Sequence, residues 1–551
     1  MTQQRNAAIW YAQDGYDPVT KGINGRRVAG DSFLRGFFRH ADVDEFVLLS
    51  KTSIELEPVR QLAAGLRPDR AVRGASLIRP TDIAPLTTLF YPSPNYAAEC
   101  WRRGPYGQAA WAVCGITHTT STTAVMQGMF DLRMAPVAPW DAVICTSTAV
   151  QASVLHQMAL IDDHISAQFG ATASSRPLFP VIPLGVHCAD FIPDPAAGAA
   201  LRARLGAGPN DVIFTTIARL TPHEKFDPLP IYLAMQRAQS TLPDQKLHIV
   251  FCGQFRDDHS RAVFTRGAAT LMPDVGFTLL DGGNAEDRKA ALSGADVFLF
   301  LIDNIQETFG LAPIEAMAAG LALLVSDWDG MKDTVTPDVG LRIPTRSLPP
   351  GHLVPEALRY QGGIDSYVQY CATTSALVEI DMEALTKAIA TLAKDPDLRR
   401  NMGRAGQKRA RELYDWSVII PRMQDLWLEQ DAMRAYGMPQ ARRYNGASLP
   451  IAPSPTALFA NYPSAQTRFE GETLFISDQP PDLATVLSTR DYPALRRMFA
   501  DAKQIAAVLT VAQTSGPIGT TVPALITATA LSRSTVERVL IWLLKYGFLR
   551  R

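Results

Sequence analysis

The chain has 551 residues with 47% hydrophobic content, too long for one ordinary domain and apolar enough to fill two or three separate cores. Its formal net charge of -1 excludes a whole-chain attraction to nucleic acid or to an anionic membrane surface and leaves only a local one open. The N-terminus MTQQRNAAIWYAQDGYD has no basic segment followed by an apolar run, and no apolar stretch approaches the roughly 20 residues of a spanning helix, so the expectation is a cytosolic protein, at most peripheral at the inner membrane.

In chain order, AAIWYAQ (7–13), EFVLLSK (45–51), TTLFYP (87–92), WAVCGITH (111–118) and DAVICTS (141–147) are short apolar runs, each followed by a turn-rich or helix-like stretch. That alternation predicts an α/β domain built on a parallel sheet over 1–194. After VIPLGVHCADFIP (181–193) it restarts with DVIFTTIARL (211–220), KLHIVFCGQF (246–255), DVFLFLI (296–302) and LALLVSD (321–327), predicting a second α/β domain over 195–430. Two doubly wound domains place a ligand in the crevice outside the carboxyl ends of their strands. The proline, serine, alanine and glycine content of 431–490 reads as a linker or strap, and 491–551 as a small, mainly helical module. Six cysteines without CxxC spacing read as reduced core thiols, with no structural zinc.

The stretch QETFGLAPIEAMAAG (306–320) holds Glu307 and Glu315 eight positions apart around a glycine. Glu307 follows a strand, and PIEAMAAG has the composition of a helix with Pro313 in its first turn. Phe309, Gly310 and Leu311 would then offer backbone N–H groups at a helix start, where the aligned peptide dipoles favour an anion such as phosphate. Glu315 lies on a turn that can face the same place. The alternative is a solvated loop residue followed by an exposed helical one.

QETFGLAPIEAMAAGLALLVSDWDG (306–330) resembles the donor-site signature of retaining glycosyltransferases with the two-domain GT-B fold, family 4 in particular. IARLTPHEKFD (217–227) is similar to that family's Arg-and-Lys segment, and LAKDPDLRRNMGRAGQKRARELYDWSVIIPRMQDLW (392–427) resembles its closing helices, the last of which returns to the first domain. The resemblance covers roughly residues 7 to 430 and implies two Rossmann-like domains and sugar transfer from a nucleotide sugar with retention. It implies that Arg219 and Lys225 contact the donor pyrophosphate, doing what a metal does elsewhere. It further implies that Glu307 bonds hydroxyls of the donor sugar and Glu315 those of the ribose, since a carboxylate accepts from two adjacent hydroxyls. His118, in GITHTTST, stands where the family often has a histidine near the donor sugar; the alternative is a structural strand-end residue. Gly22 and Gly25, in DPVTKGINGRRVAGDS (17–32), would let the first loop come close to a ligand. No cofactor and no essential metal are expected, and no segment resembles the lysine site of pyridoxal-phosphate phosphorylases. The expected partners are the nucleotide sugar and an acceptor that is a polysaccharide, a lipid-linked sugar, a protein or a small molecule. The competing reading is a non-catalytic protein that senses a nucleotide sugar.

Several positions depart from the family pattern. The segment between Arg219 and Lys225 carries one residue more than the commoner version, which would displace Lys225. In DWDGMKD (327–333) Asp329 replaces a glycine and Asp333 the usual glutamate, and 346–380 is a long insertion suited either to a lid or to an oligomer contact. In the tail, 494–513, 521–530 and 532–547 read as three helices, the last with a capping box from Ser534 to Glu537, resembling a winged-helix unit. Eight Lys or Arg against two acids from Leu495 to Arg551 could suit DNA. The stronger reading is a protein partner, self-association or a solvated face, and nucleic acid is disfavoured.

Overall fold

The computed structural model describes residues 5–17, 25–51, 56–77, 79–172, 175–490 and 501–551. The chain divides into a large unit, Met1–Ala452, and a small one, Pro453–Arg551.

The large unit holds two six-stranded parallel sheets. The first contains β1 (Ala8–Trp10), β2 (Glu45–Ser50), β3 (Ala71–Ser76), β4 (Thr88–Tyr91), β5 (Ala112–Ile116) and β6 (Ala142–Ile144), ordered β3-β2-β1-β4-β5-β6. The second contains β7 (Val212–Ile217), β8 (Leu247–Gly253), β9 (Gly276–Asp281), β10 (Val297–Phe300), β11 (Ala322–Ser326) and β12 (Gly340–Ile343), ordered β12-β11-β10-β7-β8-β9. Each is the doubly wound order of a Rossmann-like domain, whose direction reverses between its first and fourth strands. The reversals lie between β1 and β4 and between β7 and β10. Central strands such as VIFTTI and LHIVFCG are buried almost throughout, as a sheet covered on both faces by helices requires.

Within these two sheets, the strands missed by the sequence reading are β3, β9 and β12. AVRGAS and GFTLLD are mostly not buried, and GLRI is buried only at its two ends. All three are edge strands, where no continuous apolar run is needed.

The helix Trp416–Gly437 packs on the first lobe. Gln430 donates to the carbonyls of Val113 and Trp140, Trp427 is fully buried against Phe37 and Phe90, and the Trp416 indole N–H donates to Ser32 Oγ at 2.7 Å. All six cysteines are buried and free. Among the described residues no helix is long and apolar enough to cross a membrane.

In the small unit the helices Ala502–Thr514, Val522–Thr529 and Arg533–Lys545 enclose a core of Val508, Leu525, Val536, Val539, Leu540 and Leu543. A strand from the expected strap, β15 (Phe475–Ile476), pairs antiparallel with β16 (Leu549–Arg550). The last helix is capped by Ser532, which accepts from the Thr535 N–H, rather than by Ser534. At Ser534 the backbone is already helical, and Glu537 is instead engaged by Arg533. Arg533, Arg550 and Arg551 each meet a carboxylate of this unit, on Glu470, Asp478 and Glu472, so part of the local positive surplus is neutralised.

Candidate functional site

The second lobe's reversal between β7 and β10 brings two loops together. After β7, Leu220 is buried and its N–H donates to the Gln254 carbonyl, which anchors the chain beside Arg219. The Thr221 carbonyl then accepts from the N–H groups of Glu224 and Lys225. This turn sets where the Lys225 side chain leaves the backbone. The Lys225 ammonium reaches the Glu307 carboxylate in the loop after β10 and lies 5.2 Å from the centre of the Phe300 ring.

Glu307 is shielded from solvent. Burial alone would raise its carboxyl, but Lys225 and the N–H groups of Gly310 and Phe309 hold it below the ordinary carboxylate range. The Gly310 N–H donates to Oε1 at 3.0 Å. Two of the three N–H groups assigned to phosphate, those of Phe309 and Gly310, are thus turned to Glu307, because a carboxylate three residues before a helix start can cap it. Gly310 has φ +83°, and the helix Leu311–Ala318 begins immediately after it. That left-handed conformation costs glycine nothing and any other residue strain. Arg219 is half-exposed, donating to Gln306 Oε1 at 2.7 Å and to Glu224 at 3.1 Å. Arg256, in the loop after β8, joins the same Glu224 carboxylate.

Glu315 sits in the helix that follows Gly310, and burial lifts its carboxyl to about 7, with Arg288 opposing. Burial likewise lifts Asp329 to about 7. Asp329 takes φ +45°, the backbone conformation for which the family's glycine is suited, and accepts from Ser147 Oγ of the first lobe at 3.3 Å. Beside it, Asp333 accepts from the Thr148 N–H and hydroxyl, both at 2.6 Å.

His118 follows β5 and lines a recess with Phe90, Pro92, Ile116 and Trp416. Arg219, Lys225, Glu307, Phe309, Gly310, Leu311 and Glu315 therefore gather at the carboxyl end of the second sheet, and His118 lies at the carboxyl end of the first. Gly25 opens the helix Gly25–His40, and Gly22 lies outside the described residues.

Asn304, not singled out from the sequence, is buried and joins the two loops. Its side chain accepts from the Gln306 N–H and donates to the His223 carbonyl, while its own carbonyl accepts from the Trp328 indole. An Asn two positions after the apolar run DVFLFLI was the available signal.

The family model for glycosyl transferases group 1 matches residues 199–348, the span that holds both loops. These residues form a glycosyl transferases group 1 domain. The chain is 23% identical over 275 residues to a GDP-mannose-dependent monoacylated alpha-(1-6)-phosphatidylinositol monomannoside mannosyltransferase of Corynebacterium glutamicum, covering 49% of this chain and 61% of that protein. It is 26% identical over 266 residues to a GDP-mannose-dependent alpha-(1-6)-phosphatidylinositol monomannoside mannosyltransferase of Mycolicibacterium smegmatis, covering 47% and 58%. The chain thus spans about three fifths of the length of these relatives. Among solved structures, Anabaena Alr3699/HepE in complex with UDP superposes with a TM-score of 0.50 at 14% identity, over 76% of this chain and 99% of that one. At that identity the likeness is one of fold: the group 1 domain is the second of two Rossmann-like domains in a GT-B arrangement.

Proposed function

We propose that this chain is a retaining glycosyltransferase that moves a sugar from a nucleoside-diphosphate donor to a hydroxyl-bearing acceptor without an essential metal. The observation that carries the reading is the contact of Lys225 with Glu307, beside Arg219, at the strand-order reversal of the group 1 domain. Cationic and hydroxyl-binding groups are then adjacent where a sugar diphosphate would lie.

In this reading the bond between the sugar's anomeric carbon and the diphosphate oxygen breaks while the acceptor oxygen bonds to that carbon from the same face. The acceptor proton passes to a β-phosphate oxygen. Negative charge grows on the departing diphosphate, and Arg219 and Lys225 offset it. Glu307 accepts from hydroxyls of the sugar and Glu315 from those of the ribose. His118 faces the sugar from the first lobe. No carboxylate acts as the nucleophile, so the paired-carboxylate chemistry of glycoside hydrolysis does not apply.

The two mannosyltransferases make GDP-mannose the first donor to try and a lipid-borne polyol the first acceptor, with UDP-glucose as the contrasting donor. The test is thermal stabilisation and release of nucleoside diphosphate across a panel of nucleotide sugars with chelator present. One donor should stabilise the protein and be turned over. A donor that binds yet is never turned over with any acceptor would favour a nucleotide-sugar sensor, and no binding at all would remove both readings.

A further inference from the structure

The insertion after β12 is tied down at its foot and reaches across the cleft at its tip. Strands β13 (Thr345–Ser347) and β14 (Val378–Ile380) pair antiparallel and close it. Between them run the helices Val354–Gln361 and Tyr367–Ser375, with Tyr360 stacked on Tyr370 at 4.4 Å. At the foot, Ser375 Oγ donates to Asp303 Oδ1 at 2.6 Å, four residues before Glu307.

At the tip, the Tyr367 hydroxyl lies 3.0 Å from Thr119 Oγ1 and 2.8 Å from Ser121 Oγ. Ser121 Oγ is also 3.3 Å from the Ile305 carbonyl. A carbonyl only accepts, so Ser121 donates to Ile305 and accepts from its hydroxyl neighbours, Tyr367 and Thr119, the latter 3.2 Å away. The three hydroxyls form a closed triangle anchored on the Ile305 carbonyl, and Tyr367 is the corner that the insertion contributes. Separately, the Thr123 N–H, unpaired within its own helix as the first residue there, donates to the Tyr360 hydroxyl at 2.9 Å.

These contacts bear on His118. Its segment is fixed on one side by Thr117, whose N–H and hydroxyl both donate to the Ile144 carbonyl. On the other side Thr119, Ser121 and Thr123 are held by the insertion. We propose that Tyr367, supported by Tyr360, is a positioning residue that registers the His118 segment of the first lobe against the Glu307 loop of the second. It touches neither reacting group and acts through Ser121 and Thr119, so its loss should cost rate through misplacement rather than donor affinity. The kinetic part of this proposal rests on the transferase reading; the structural part does not.

The test uses Tyr367→Phe and Tyr360→Phe, which keep the rings and remove only the hydroxyls. Amide hydrogen exchange across residues 117–123 should quicken by about tenfold, the worth of one lost hydrogen bond, at an unchanged melting temperature. Turnover should fall by about tenfold with the donor KM within about twofold. Ser121→Ala should match Tyr367→Phe, and the two together should add little, because they break the same triangle. Unchanged exchange in 117–123 overturns the clamp even if the protein turns over no donor. Quickened exchange with unchanged kcat overturns the positioning role.

Discussion

The Lys225 ammonium lies against the Glu307 carboxylate, with both side chains largely shielded from solvent. Removing one partner of such a pair leaves the other desolvated and uncompensated. Lys225→Met and Glu307→Gln should each cost about 2 kcal/mol, and the double variant less than their sum, measured by chemical denaturation. Because Glu307 is held below its ordinary value of 4.5, its contribution is present above that pH and is lost as pH falls through the folded value. In Lys225→Met only the N–H groups of Gly310 and Phe309 still oppose burial, and that dependence should weaken.

Glu315 and Asp329 carry the opposite sign. With carboxyls near 7 in the folded state, against ordinary values of 4.5 and 3.8, they favour folding fully below the ordinary values and lose that contribution as pH rises through about 7. The ligand-free protein should therefore melt at a lower temperature at pH 8 than at pH 5.5, and Glu315→Gln should flatten the slope. If ionised Glu315 binds the ribose hydroxyls, donor affinity should rise over the same interval, and the same variant should flatten that profile too.

Two backbone positions set the site's shape. A Cβ on Gly330 would lie 2.6 Å from Phe309 Cα and 2.7 Å from its carbonyl oxygen, so Gly330→Ala must push the glutamate loop aside. A loss of about 2 kcal/mol is expected, together with loss of donor binding by calorimetry. Asp329→Gly should stabilise the protein by about 1 kcal/mol at pH 8, through relief of the left-handed backbone and removal of a buried carboxylate.

Asp333 joins the lobes through the start of the helix Thr148–Phe169. Asp333→Ala removes two short charge-assisted bonds and should increase the radius of gyration of ligand-free protein in solution scattering, with a donor restoring the wild-type value.

Both sheets were legible because their central strands are continuous apolar runs with helices between them, and the glutamate loop because its residue types follow one another in an unbroken motif. Edge strands such as GFTLLD were not, since a half-exposed strand need not be uniformly apolar. The place of Lys225 could not be read from spacing, since it depends on a turn at Thr221 whose carbonyl accepts from Glu224 and Lys225. Nor could the capping of Gly310 by Glu307, since a motif names a carboxylate without saying which N–H it meets. The insertion's length was visible and its reach was not, because contacts such as Tyr367 with Ser121 join residues 246 positions apart.

The most direct test of the account is release of nucleoside diphosphate from GDP-mannose and UDP-glucose in excess chelator by the wild type, Arg219→Ala and Glu307→Ala. The account predicts metal-free turnover of one donor by the wild type and a loss of at least about a hundredfold in both variants. Turnover that survives both substitutions, or that chelator abolishes, would contradict it.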